Sequence, residues 1–152
     1  MLEAHVFNKF FEGHCLDAHQ VFGAHFAYEG CGGVRFTVYA PNARRIQVVG
    51  DFNHWQGDYS DMEKVTDRGV WSLFIPNVVE WSLYKYKIET AYGEWVEKAD
   101  PFAFHTELRP KFASLVVNLK DYSWGDKMWI QSRRKLHQQP MNIYEIHAGS
   151  WR

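Results

Sequence analysis

The stretch "SLYKYKIET", residues 82–90, alternates strictly: Tyr84, Tyr86 and Ile88 fall to one side, and Lys85, Lys87 and Glu89 to the other. A period of two marks a β-strand with one face in a core and one in water. The same period recurs along the chain. "VRFTVYAPNA" sets Val34, Phe36 and Val38 on one face and stops at the turn pair Pro41-Asn42, and "RIQVVG" treats Ile46 and Val48 alike. "GVWSLFIPN" is apolar on both sides, as a buried strand is, and also closes on proline and asparagine. "WVEK" follows a turn at Tyr92-Gly93-Glu94, and "ASLVVNL" predicts an alternating strand with Leu115, Val117 and Leu119 on one face. Short strands at this spacing, with no long helix between them, predict a mainly β chain folded as an immunoglobulin-like β-sandwich.

The flanks read differently. Leu2, Val6, Phe7 and Phe10 fall at helix-face spacing with Gly13 as terminator, and a second helical turn is expected from Leu16 to Phe22, ending at Gly23. "GCGG" at 30–33 reads as a loop entering the first strand; no lysine-serine pair or helix start follows, so it is not a phosphate loop. After Leu119, "SWGDKMWIQSRRKL" predicts a helix, with Asp126 near its start and Arg133, Arg134 and Lys135 in its last turn, where they complement the helix dipole. "HQQP" is a linker, and "MNIYEIHAGSWR" opens a new apolar, alternating stretch.

Composition narrows the function classes. The formal net charge is −1, which gives no electrostatic case for a nucleic-acid partner. No apolar run approaches the roughly 20 residues needed to cross a bilayer, and the N-terminus lacks the pattern of a secretory signal. Cys15 and Cys31 lie in unlike contexts and read as reduced thiols of a cytoplasmic protein. The eight histidines show no ligand spacing, so neither a metal nor another cofactor is expected. The unusual feature is aromatic content, 17% with seven tryptophans, more than one core of this size needs. Trp71 and Trp81 are assigned to the sandwich, and Trp124, Trp129 and Trp151 to an interface with a neighbouring domain. Trp55 is the puzzle, because "VVGDFNHWQGDY" surrounds it with turn formers. Either it folds inward over the end of the sandwich, or its ring is a surface for something flat and largely apolar.

In this order, "FGAH" (22–25), "FTVYAPNARRIQVVGDFNHW" (36–55), "LYKYKIET" (83–90), "KADPFAF" (98–104), "ELRPKFASLV" (107–116) and "IYEIHAGSW" (143–151) resemble the N-terminal part of the glycogen (1,4-α-glucan) branching enzymes. The resemblance covers nearly the whole chain. It implies a helical leader at 1–26, a β-sandwich carbohydrate-binding module of family 48 at 27–119, a helical linker at 120–141, and the opening strand of an (α/β)8 catalytic barrel at 142–152. The family's nucleophilic aspartate, acid/base glutamate and stabilising aspartate all lie further downstream, so no catalytic residue is expected here. The loop acids Asp51, Asp58, Asp61 and Glu63 read as solvated, not as the closely spaced carboxyl pair that glycosyl transfer needs.

The resemblance also implies binding residues. Glycogen-binding family members stack a tryptophan on a sugar after a "G-x-F-N-x-W" segment, and add a lysine from a "Y-K-Y/F" strand and a second tryptophan after the next turn. Position by position these fall on Trp55, Lys85 and Trp95, with Asn53 and His54 as polar contacts. The expected partner is an α-glucan (glycogen, amylose or malto-oligosaccharides), with the catalytic barrel in cis. The alternatives are a stand-alone glycogen-targeting module and a protein-interaction sandwich.

Overall fold

The structure, a computed structural model, describes residues 4–133, 140 and 142–150. Two compact units are present, Met1–Asn118 and Leu119–Arg152. The first is an immunoglobulin-like sandwich of two antiparallel sheets. One sheet has the order β1 (Gly23–Tyr28), β2 (Gly32–Tyr39), β5 (Val70–Pro76), β4 (Glu63–Thr66). The other has β3 (Arg45–Gly50), β6 (Leu83–Glu89), β9 (Ser114–Leu115), β8 (His105–Thr106), and β7 (Trp95–Lys98) also pairs with β6.

The alternation explains the layers. Val34, Phe36 and Val38 of β2 face Ile46, Val48, Tyr84 and Tyr86 of the second sheet, and Trp71, Val78 and Val116 complete the core. Phe36 and Tyr84 meet edge to face across it, 4.9 Å apart. Each of these side chains contributes about 1.5–3 kcal/mol by leaving water. Helix α1 (Ala4–Phe11) ends before Gly13, whose φ of +73° a side chain would resist. It brings Phe7 and Phe10 against Phe22, and Phe10 and Phe11 against Tyr39, while Val70 is buried in the same cluster.

Several expectations need correction. The first strand is β1, which starts at Gly23 inside the expected leader, so "GCGG" is the turn of a β1–β2 hairpin and not a loop leading into the first strand. Only Ala18–Gln20 forms a helical turn in the segment before it, and Leu16 lies fully in solvent. The strand around residue 115 has the opposite parity to that expected. Ala113, Ser114 and Val116 are buried, whereas Leu119 is exposed. Ser114 Oγ accepts the backbone N–H of Asp100 at 2.9 Å, so an inward-facing small polar residue is well satisfied there. Trp81, assigned to the sandwich, is 56% exposed with a φ of +68°, its ring edge-on to His105. Trp71 is buried as expected, and its indole N–H donates to the Ala40 carbonyl.

In the second unit, helix α2 (Lys127–Ser132) is shorter than the sequence predicts. Asp126 precedes it without making a side-chain cap bond, and Arg134 and Lys135 lie outside the described residues. The expected barrel strand is not formed: residues 142–147 carry no regular structure and 148–150 a single 3-10 turn. A strand requires a hydrogen-bonded neighbour, and no pairing reaches these residues among those described. Trp124 and Trp129 are exposed, while Trp151 lies outside the described residues.

Candidate functional site

The site begins where β3 ends. Gly50 has no room for a side chain, because an added Cβ would lie 2.3 Å from the Leu83 carbonyl oxygen. The chain then turns through a 3-10 segment, Asp51–Asn53, and passes two consecutive left-handed residues, His54 (φ +52°) and Trp55 (φ +61°). For a bulky side chain this conformation costs of order 1–3 kcal/mol and persists only where surrounding contacts enforce it.

Those contacts are present. Asn53 Oδ1 accepts the Gly50 N–H at 2.9 Å and its Nδ2 donates to the Val48 carbonyl at 2.8 Å. The Trp55 N–H donates to the Gly50 carbonyl. Asp51 accepts the Trp55 indole N–H at 3.2 Å on one oxygen and the Leu83 backbone N–H at 2.9 Å on the other. The loop then folds back along the free edge of β3. There the Val48 N–H donates to Ser60, the Met62 N–H donates to Ile46, and Gln47 bridges to Asp61. Gly57 packs against the Gln47 amide, where an added Cβ would lie 1.9 Å from the side-chain oxygen and displace it. The outcome is a pinned loop holding a tryptophan 39% exposed.

Lys85 stands on the outer face of β6, opposite Val49. Its ammonium lies 5.5 Å from the Trp55 ring centre, 3.8 Å from that of Phe112, and 3.0 Å from a Glu97 carboxylate oxygen. Only 16% of this side chain is exposed. Two aromatic faces and one carboxylate therefore hold the cation in place.

Trp95 is 40% exposed and pairs with Glu89, four residues along β6 from Lys85. Its ring is flanked by Lys87 Nζ at 5.4 Å and the Arg45 guanidinium at 5.8 Å. Arg45 is itself paired through two hydrogen bonds with Asp61, at 2.5 and 2.6 Å. That hydrogen-bonded pairing holds the Asp61 carboxyl below its usual range and raises the guanidinium.

The five residues read from the sequence thus separate. Trp55 and Lys85 are brought together. Trp95 shares their sheet face but touches a different lysine. His54 is exposed on the loop, and the Asn53 amide spends one acceptor and one donor position in shaping the loop. Sequence reasoning missed Phe112, Glu97 and Asp51. Phe112 lies between strands in "RPKFAS", where no periodicity marks it. Glu97 was legible in principle, two residues from Trp95 and so on the same strand face.

Among the described residues, no group of three or more His, Cys, Asp or Glu side chains is placed to hold a metal ion. No helix among them is long and apolar enough to cross a membrane. What the surface offers is flat aromatic faces, an immobilised ammonium and carboxylates at its rim.

A two-sheet sandwich of this kind is the architecture of a carbohydrate-binding module. Solved structures share it: PulA from Klebsiella oxytoca superposes with a TM-score of 0.54 at 28% identity, covering 69% of this chain and 10% of that one. Ligand-free PulA from Klebsiella pneumoniae gives 0.54 at 25% identity, covering 68% and 10%. The chain belongs to the carbohydrate-binding module 48 family (isoamylase N-terminal domain), whose sequence model matches residues 21–103. Over 141 residues it is 49% identical to the 1,4-alpha-glucan branching enzyme GlgB of Bacillus cytotoxicus, covering 91% of this chain and 22% of that enzyme. The GlgB of Bacillus cereus (strain B4264) is 47% identical over 139 residues, covering 90% and 22%. The chain therefore spans about a fifth of the length of these relatives.

Proposed function

We propose that this chain is the N-terminal, α-glucan-contacting part of a cytoplasmic 1,4-α-glucan branching enzyme of glycogen biosynthesis. The parent reaction moves an α-1,4-linked segment onto a 6-hydroxyl to make an α-1,6 branch, and the bond-breaking carboxylates belong to a barrel acting in cis. The sandwich, from β1 at Gly23 through Asn118, is the binding module, the segment up to residue 141 the linker, and 142–152 the entry to that barrel.

One observation carries the binding role. Trp55 is held half-exposed in a strained backbone conformation by the hydrogen bonds it donates to Asp51 and Gly50, beside an ammonium fixed between two rings. A ring that merely covered the sandwich end would need neither the strain nor the exposure. Pyranose rings present C–H faces that pack on an indole, and their rim hydroxyls find charged hydrogen-bond partners in Lys85 and Glu97. Trp95 extends the same face.

Affinity electrophoresis in gels containing glycogen or amylose tests this reading. Retardation of the wild-type chain is expected, with loss of retardation in the Trp55→Ala/Trp95→Ala double variant and an unchanged circular dichroism spectrum. Retardation that survives both substitutions would remove the assignment, and no retardation at all would favour a protein-interaction sandwich.

A further inference from the structure

At the Arg45–Glu89 end of the second sheet, away from Trp55, the sandwich opens in a cleft of about 650 Å³. The β2–β3 turn forms one wall with Pro41 and Asn42, and the β6–β7 hairpin forms the other with Tyr92 and Glu94. Ala43 and Ile88, both packed against the core, are the floor.

The hairpin is a rigid mount. Thr90 N–H donates to the Glu94 carbonyl at 2.8 Å, Gly93 N–H donates to the Thr90 carbonyl, and the Thr90 hydroxyl oxygen accepts the N–H groups of both Tyr92 and Glu94. On this ordered turn the Tyr92 side chain is 91% exposed. Neither the Asn42 amide nor the Glu94 carboxylate is engaged by another described residue. An apolar floor, one aromatic wall and a rim of amide and carboxylate suit a neutral, flat, hydroxyl-bearing ligand, and the Glu94 carboxylate disfavours an anion. Trp95, the residue after Glu94, joins the cleft to the outer face of the sheet. From Lys85 to Glu89, the partner of Trp95, the path along β6 is about 14 Å at the usual rise per residue.

We propose that this cleft is a second α-glucan subsite, with Tyr92 as its stacking face and Asn42 and Glu94 as hydroxyl partners, filled by the continuation of a chain lying on Trp55 and Trp95. This rests on the binding function proposed above. A short oligosaccharide occupies the Trp55 end alone. A longer one reaches the hairpin, and its second contact forms at the high effective concentration set by the first.

Titration of the 15N-labelled chain with maltotriose and with maltoheptaose tests the subsite. Both sugars are expected to shift the Trp55 indole resonance, but only maltoheptaose should shift the amides of Ala43 and Ile88. Tyr92→Ala, at an exposed turn position, should weaken maltoheptaose binding by about threefold to tenfold and leave maltotriose affinity unchanged. Maltoheptaose shifts confined to Trp55 and Lys85, with Tyr92→Ala binding as tightly as wild type, would overturn the subsite while leaving the primary shelf intact. Absence of any Trp55 shift with either sugar would instead overturn the shelf and, with it, the continuous path.

Discussion

Asp100 lies inside the sandwich, 5% exposed, and accepts hydrogen bonds from the Tyr84 hydroxyl at 2.7 Å, the Tyr86 hydroxyl at 3.0 Å and the Phe102 N–H at 2.8 Å. Burial pushes its carboxyl above the ordinary aspartate range, and the three donors partly hold it down. Burial also raises both phenols, which stay protonated as donors. Asp100→Ala would leave two buried hydroxyls without an acceptor, and a loss of about 3 kcal/mol is expected in urea unfolding. The pH dependence has a definite sign. Because the folded-state pKa is raised, this group's stabilisation is fully present below the ordinary aspartate value and is lost as pH rises through the folded one. Wild type should therefore lose stability relative to Asp100→Asn as pH is raised from acid toward neutrality. A difference that is flat with pH would show that Asp100 is not perturbed by folding. Asp61 works in the opposite direction, since its lowered pKa withdraws stability only as acid breaks the Arg45 pair.

At the scale of elements, the loop from Gly50 to Met62 is the part whose geometry depends most on single residues. Gly50→Ala would press a methyl group onto the Leu83 carbonyl and the Phe52 ring. A loss of about 1–3 kcal/mol is expected by thermal or urea unfolding, together with weaker glucan retention, because β3 and the Trp55 loop would shift together. A neutral Gly50→Ala would mean that the loop moves independently of the sheet. The long strands were legible because a period of two has one cause, a core on one side only. β6 shows this best, with Tyr84 and Tyr86 fully buried and Lys85 on the other face. Strand β9 was misread because "ASLVVNL" is apolar at both parities, and the deciding interaction, Ser114 to Asp100, joins residues 14 apart. β1 was missed because its apolar positions mark no buried face: Ala24 is buried, but Phe26 and Tyr28 are exposed. In the candidate site, local pattern singled out Trp55 and turned Lys85 away from the core, and the family resemblance joined the two. Neither reached Phe112, since only the fold brings it to Lys85.

For the whole molecule, several acidic side chains serve the fold itself. Among the loop acids, Asp51 is engaged by the Trp55 indole and Leu83, and Asp61 by Arg45 and Gln47, while Asp100 is enclosed by tyrosines. Glycosyl transfer needs two carboxyl groups facing one bond from opposite sides. Incubation of this chain with amylose is accordingly expected to leave the iodine absorption spectrum unchanged, and a fall in its long-wavelength band would contradict the division of labour proposed here. The sandwich itself could be inferred from strand spacing. The helix α1 cap could be inferred only as a helix, because its docking surface of Tyr39, Phe22 and Val70 is assembled from three separate segments. The Asp51 carboxylate has a further consequence. One oxygen steadies the indole and the other anchors the first amide of β6, so whatever damps the ring also damps the strand's opening. Saturation with maltoheptaose should slow deuterium uptake at the Leu83 amide, a backbone position that no sugar needs to touch, and Asp51→Ala should erase that protection.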